Sequence, residues 1–166
     1  MTDTNALLKF EEGYSATPYR DSEGYPTVAI GIRIGPKGAP LANYCFTVPL
    51  VVAEAWTDTF VDSLLHQIDT NPKYVQIKGA LAACQMSAVM APIKQNPRCA
   101  VVISMAYQMG LDGLMQFVNT LGLMVQHQFN DAADNMLKSK WASQTPKRAK
   151  RHADQMRSNV WAKEYV

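Results

Sequence analysis

From residue 97 to residue 109 the chain is apolar nearly all round, with Val101, Val102, Ile103, Met105, Ala106 and Met109 leaving little polar face. A helix of that kind belongs at the buried centre of a helical lobe. Apolar recurrence between breakers predicts further helices over roughly 50–69, 72–91, 114–127 with a break near Asn119, 131–141 and 146–158. Gly110 ends the central helix, and the following "LDG" makes the turn. Three starts share one chemistry. At Asn71-Pro72, Asn96-Pro97 and Thr145-Pro146 a capping side chain precedes a proline at the first helical position, where no amide donor is needed.

The first 49 residues read differently. Leu7, Leu8 and Phe10 support a short helix over about residues 3–12, and Gly13 is its stop. Val28, Ile30, Ile32 and Ile34 then alternate among Gly24, Pro26, Gly31 and Gly35. That pattern predicts a β-hairpin or a three-stranded sheet with a turn at Glu23-Gly24. "GPKGAP" at 35–40 is loop, and 41–49 has no clear preference. The fold class expected is α+β: a small N-terminal antiparallel sheet lobe and a larger helical C-terminal lobe, joined by the 50–69 helix. A cleft between two such lobes is a common ligand site. The whole of 1–166 is expected to form one domain, with the sheet lobe at about 13–60 and the helical lobe at about 1–12 plus 70–166.

With 48% hydrophobic and 18% charged residues, the chain has enough apolar material for a real core. Its net charge of +2 hides an asymmetry. Up to Asp62 there are eight acidic residues against four basic, whereas Lys138 to Arg157 holds seven basic residues and one acidic, Asp154. A basic helix of that kind is usually solvated surface, so no nucleic-acid partner is expected. Cys45, Cys84 and Cys99 form no CxxC and sit among apolar residues, which suits free thiols in a reducing compartment. The start, "MTDTNALLKFEEGY", lacks the pattern of a signal peptide, and the apolar runs are too short or interrupted to span a bilayer. The expectation is a chain kept inside the cell with no stable membrane insertion. His66, His127 and His152 lie far apart without ligand spacing, so no metal site is expected, and with no Gly-x-x-x-x-Gly-Lys loop in the chain no cofactor is expected either.

The candidate chemistry lies in "KFEEGYSATPYRDSEGYPTVAIGIRIG", residues 9–35. Glu12 closes a helix, Asp21 falls in the sheet lobe, and Thr27 follows. Glycoside hydrolysis needs one protonated carboxyl for the leaving oxygen and a second carboxylate on the other face of the sugar. An inverting enzyme leaves room for a water, which a threonine hydroxyl can hold as donor or acceptor. Spacing alone does not separate such a site from a turn-rich surface.

The residues around these positions do. "Glu-Gly" after an apolar helix, then "PYRDSEGYPTVAIG", resembles the phage-type lysozymes of the T-even phage kind, glycoside hydrolase family 24. That family carries a Glu–Asp–Thr triad in the pattern E-G-x7-D-x-x-G-x-x-T. The resemblance returns from Met105 to Trp161, in "MAYQMG", F-x-N-T and "AADNMLKSKWASQTPKRAKR". The middle, about 36–98, resembles the family mainly in being helical.

The resemblance implies a lysozyme-like fold and hydrolysis of the β-1,4 bond between N-acetylmuramic acid and N-acetylglucosamine in peptidoglycan. Glu12 would be the general acid, Asp21 the second carboxylate, and Thr27 the holder of the attacking water, giving inversion. Arg33, Tyr107, Gln108, Thr120 and Asn135 would contact the saccharide. Arg148 would pair with Glu12, and Arg151 with Glu11. An arginine favours an ionised carboxyl, while a general acid must keep its proton. Either desolvation wins, or Arg148 chiefly holds Glu12 in place. The family's activity serves phage-induced host lysis. A monomer would wait in host bacterial cytoplasm and reach the periplasm through a lesion made by a separate holin. The alternative is a catalytically impaired lysozyme-like module that grips cell wall or another phage protein. Two departures stand out: where the family reads G-x-G-H, this chain reads Ala29-Ile30-Gly31-Ile32.

Overall fold

The computed structural model describes residues 3–86 and 91–166. The fold is α+β, with one three-stranded antiparallel sheet near the N-terminus and a larger helical part. Close contacts divide the chain into two units, residues 8–60 and residues 1–7 with 61–166.

The sheet unit takes in the end of α1 (Thr4–Glu12), strands β1 (Ser15–Arg20), β2 (Pro26–Ala29) and β3 (Ile32–Arg33), and the first half of α2 (Leu50–Thr70). Strand order is β1-β2-β3. Tyr19 stands opposite Thr27, and Thr27 opposite Arg33, so these three form one row across the sheet. The apolar alternation from Val28 to Ile34 conceals a reversal. Ala29 and Gly31 both have left-handed backbone, with φ of 58° and 70°, and they fold the run into the β2–β3 hairpin. Leu8, Val28, Ile30, Val48 and Ala53 form the apolar centre of this unit. Lys9 pairs with Glu54 at 2.8 Å, tying α1 to α2.

In the helical unit, α3 (Val75–Met86), α4 (Pro97–Leu114), α5 (Val118–Val125), α6 (Phe129–Leu137), α7 (Lys140–Gln144) and α8 (Pro146–Ser158) complete the fold. Residues 99–106 of α4 are buried without a break, as the all-round apolar pattern requires. Gly110 interrupts α4 with φ 74° and ψ 165°, so the central helix does end there. α6 packs on α8, α3 on α5, and α5 on α6. Arg98 at the start of α4 caps the end of α8: Nε donates to the Met156 carbonyl at 2.7 Å and Nη2 to the Arg157 carbonyl at 2.8 Å. A cation on the last carbonyls of a helix complements its dipole.

Several expected boundaries change. Residues 72–74 form a separate 3-10 turn before α3, and the 87–90 portion of the expected 72–91 helix lies outside the described residues. The helix expected over 114–127 is α5 alone, because the chain breaks at 115–117 rather than near Asn119. The helix expected over 131–141 begins at Phe129 and stops at Leu137. Ser139 then caps α7 by accepting from the Ala142 amide at 3.1 Å. Asn71 and Asn96 cap as their sequence predicts. Thr145 does not: its hydroxyl donates instead to the Trp141 carbonyl at 3.0 Å, finishing α7 rather than starting α8.

Asn96 does two jobs while fully buried. Its Oδ1 accepts from the Cys99 amide at 3.1 Å and its Nδ2 donates to the Cys84 carbonyl at 3.2 Å, joining α4 to α3. Asn96→Ala should destabilise the fold by about 1–3 kcal/mol, since it removes a helix cap and a buried hydrogen bond between α4 and α3. Urea unfolding of the two proteins measures this, and a change under a few tenths would refute it.

Candidate active site

The β1–β2 turn is built on Asp21. The Asp21 carbonyl accepts from the Gly24 amide at 3.0 Å, closing a four-residue turn in which Gly24 has φ 91°. The side chain then binds what the turn leaves open. Oδ1 accepts from the Glu23 amide at 2.9 Å and the Tyr25 amide at 2.8 Å. Oδ2 accepts from Arg33 Nε at 3.0 Å. Desolvation pushes the Asp21 carboxyl upward, but the Tyr25 amide, the Arg33 guanidinium and the Glu23 amide outweigh it. The group is held below its ordinary value. Asp21 is therefore a carboxylate at neutral pH, and a weak base.

Thr27 follows on the central strand, buried, with its hydroxyl donating to the Tyr25 carbonyl at 3.2 Å. Its oxygen can still accept from a water. Glu12, the last residue of α1, lies over the bare backbone of the β2–β3 hairpin. A Cβ built on Gly31 would stand 3.2 Å from Glu12 Cβ and 3.3 Å from its Oε2. Tyr19 lies within electrostatic reach of both carboxylates. Burial raises its phenol above the ordinary value, and the charges of Glu12 and Asp21 raise it further. Glu12, Asp21, Thr27 and Tyr19 thus share one neighbourhood of the sheet unit. Tyr19 was not among the residues singled out from sequence; its register opposite Thr27 is the signal that places it there.

Arg33 sits on the same row but is engaged by the turn. Besides Asp21, its Nη2 donates to Glu23 Oε2 at 2.7 Å and its Cζ lies 4.1 Å from the centre of the Tyr25 ring. Glu11 lies beside Glu12 at the end of α1, in the sheet unit, while Arg148 and Arg151 belong to the helical unit.

Four further residues lie in the helical unit. Thr120 donates to Asn135 Oδ1 at 2.8 Å, joining α5 to α6. Gln108 Oε1 accepts from Trp141 Nε1 at 2.8 Å. Asn135 and Trp141 line a cavity of about 540 Å³ together with Met109, Phe117 and Lys138. In both amides the carbonyl oxygen is already used, so the NH2 groups are the donors left for a ligand. Tyr107 is half-buried next to Gln108 on α4. Arg148 is buried, and its Nη2 donates to Ser104 Oγ at 2.7 Å. His152 Nε2 lies 2.9 Å from the same Oγ.

The basic stretch is less open than its composition implies. Arg148 is buried, Lys150 pairs with Asp154 at 2.6 Å, and Arg157 pairs with Asp134 and Asp154. Among the described residues no group of three or more His, Cys, Asp or Glu side chains is placed to hold a metal ion. No single helix there is long and apolar enough to cross a membrane. Burial pushes the Cys84 thiol up to about 12 and raises Cys99 as well, which makes both unreactive.

Comparison with known proteins adds a family. The model of the family described as phage lysozyme matches residues 9–155. A probable T4-type lysozyme 1 of Dictyostelium discoideum is 28% identical over 160 residues, covering 87% of this chain and 88% of the relative. A probable T4-type lysozyme 2 of the same organism is 26% identical over 152 residues, with the same coverage of each chain.

Two outcomes follow from the geometry. Gly31→Ala forces a left-handed alanine and pushes a methyl against Glu12. It should cost about 1–2 kcal/mol in stability and also displace the Glu12 side chain. A crystal structure of the variant with Glu12 unmoved would contradict this. His152 is fully buried, and its imidazole is held well below its ordinary value by desolvation first and then by Arg148 and Arg151. The unfolded chain takes up that proton at higher pH than the folded one. The associated stability is therefore complete above about pH 6.5 and is lost as pH falls, by at most ~1.4 kcal/mol per unit. His152→Val should flatten this slope in urea midpoints taken between pH 7.5 and 5; an unchanged slope would exclude His152 as its source.

Proposed function

As the chain belongs to the phage lysozyme family, we propose that it is a muramidase acting on the β-1,4 bond between N-acetylmuramic acid and N-acetylglucosamine of peptidoglycan. Family membership supports glycoside hydrolase activity. The observation that carries the assignment of residues is that Glu12 packs on Gly31 of the β2–β3 hairpin, while Asp21 is bonded by Arg33, which stands opposite Thr27 in the same hairpin.

Glu12 gives its proton to the glycosidic oxygen as the bond to the anomeric carbon breaks. The sugar ring gains positive character, which the ionised Asp21 stabilises. Its three hydrogen bonds make it better suited to that electrostatic task than to strong base catalysis. A water donating to Thr27 Oγ1 attacks the opposite face, and its proton passes to Asp21 as the new carbon–oxygen bond forms. The product anomer is inverted. Tyr107, Gln108, Thr120 and Asn135 contribute saccharide contacts, with the Gln108 and Asn135 NH2 groups suited to sugar hydroxyl and acetamido oxygens. We further assign the activity to phage-induced host lysis by a monomer that reaches the periplasm through a holin lesion.

Purified protein added to permeabilised Gram-negative cells should release reducing sugar. Glu12→Gln should lower the rate by about 10²–10⁴-fold, the usual contribution of a general acid. A wild type that releases none sinks the muramidase reading; if it still pellets with cell wall, a binding module remains. NMR of the first-formed product reports the anomer, and retained configuration would remove Thr27 and its water from the mechanism.

A further inference from the structure

The contacts of Arg33 are all directed at one turn. The side chain is half exposed, yet Nε reaches Asp21, Nη2 reaches Glu23, and the guanidinium lies over the Tyr25 ring. Exposed ion pairs of this type add little to stability, so the stability of the fold does not account for the arrangement. Its effect on Asp21 is more specific. The two turn amides occupy Oδ1 and are set by the backbone. Oδ2 is the oxygen left for chemistry, and among the described residues the side chain that bonds it is Arg33. We propose that Arg33 is a positioning residue for hydrolysis: its planar guanidinium, braced by Glu23 and Tyr25, fixes the direction of Asp21 Oδ2 and sets a countercharge beside it.

This inference rests on the reading of Asp21 as the second carboxylate, and it gives Arg33 a role other than a saccharide contact. The guanidinium bonds to Asp21 through Nε and to Glu23 through Nη2, so one group serves two acids without sharing a nitrogen. The charges near Asp21 within the sheet unit can be named. Arg33 faces it from β3, and Glu23, sharing the guanidinium, weakens that countercharge. Arg20 donates to the Gly24 carbonyl behind the turn, and the Lys37 side chain runs beside Gly24. The Tyr19 phenol is subject to the charges of both Asp21 and Glu12. Removing Arg33 takes away the cation bonded to Asp21 and leaves Glu23 without the guanidinium it shared, so the Asp21 carboxylate loses attraction.

The test compares wild type, Arg33→Leu and Arg33→Lys in two measurements. The first is kcat and KM on peptidoglycan across the acid limb. The second is the titration of the Asp21 carboxyl carbon by NMR, which needs no activity. Arg33→Leu should lower kcat by about tenfold, since misplacing a reacting group by about 1 Å is enough to cost that much or more. KM should move less, the acid limb should shift to higher pH, and Asp21 should titrate at higher pH. Arg33→Lys should restore much of the pH position but little of kcat, because it keeps the charge without the fork. An effect confined to KM, with both the acid limb and the Asp21 titration unmoved, overturns the inference and makes Arg33 a saccharide contact. If wild type hydrolyses nothing while the Asp21 titration still shifts, the muramidase reading fails and the clamp on Asp21 stands.

Discussion

The sheet unit depends on where one carboxylate finds its donors. Asp21 closes the β1–β2 turn with its carbonyl and completes it with its side chain, taking two turn amides on one oxygen and a guanidinium from β3 on the other. A turn of four residues leaves amides pointing inward with no strand to meet them, and an aspartate at its first position answers that need. The turn so closed sets the register of β1 on β2, which places Tyr19 opposite Thr27, with Arg33 next in the row. Structure and chemistry therefore draw on one group. The carboxylate that orders the turn is the one the proposed reaction uses, and the bonds that order it also keep it ionised.

That economy has a consequence for the division of labour. A carboxylate held low by three donors is a poor proton acceptor but a constant negative charge. An oxocarbenium-like transition state calls for such a charge, and the attacking water becomes acidic only as its bond to carbon forms. The proposed proton donor has opposite needs and a different setting. Glu12 projects from the end of a helix onto the backbone at Gly31. Two carboxyl groups of one unit thus differ because one is built into a turn and the other lies across a hairpin.

Much of this was legible in the sequence, and the parts that were not share a physical reason. The buried α4, its stop at Gly110, the asparagine caps and the small sheet all follow from periodicity and breaker chemistry, which act locally. The Glu–Asp–Thr set came from resemblance, because its spacing alone was uninformative. The hairpin at 29–31 was hidden, because a period of two reports which face a side chain takes and not the sign of φ. Thr145 misled for a related reason: a hydroxyl between two helices has two carbonyl and amide sets within reach, and composition does not choose between them. Arg33 was assigned to saccharide from its place in the family pattern. Its partners within the chain, Asp21 and Glu23, lie twelve and ten residues away across a turn, which the family pattern does not report. Tyr19 needed the register of β1 on β2, which no local pattern encodes.

The two left-handed residues of the β2–β3 hairpin show how the family's usual glycines can be relaxed at one place and not at the other. A left-handed alanine costs roughly 1–2 kcal/mol. At Ala29 the methyl is buried, and a buried carbon of that size returns about 0.8 kcal/mol. Replacing glycine also removes unfolded-state freedom worth about 0.5–1 kcal/mol. These contributions nearly cancel, so an alanine at 29 is tolerated without loss of the fold. At Gly31 the backbone penalty is the same, but a methyl there meets the Cβ, Cγ and Oε2 of Glu12. The core accepts an extra carbon at the first position, while the second has to stay bare because the proposed general acid rests on it.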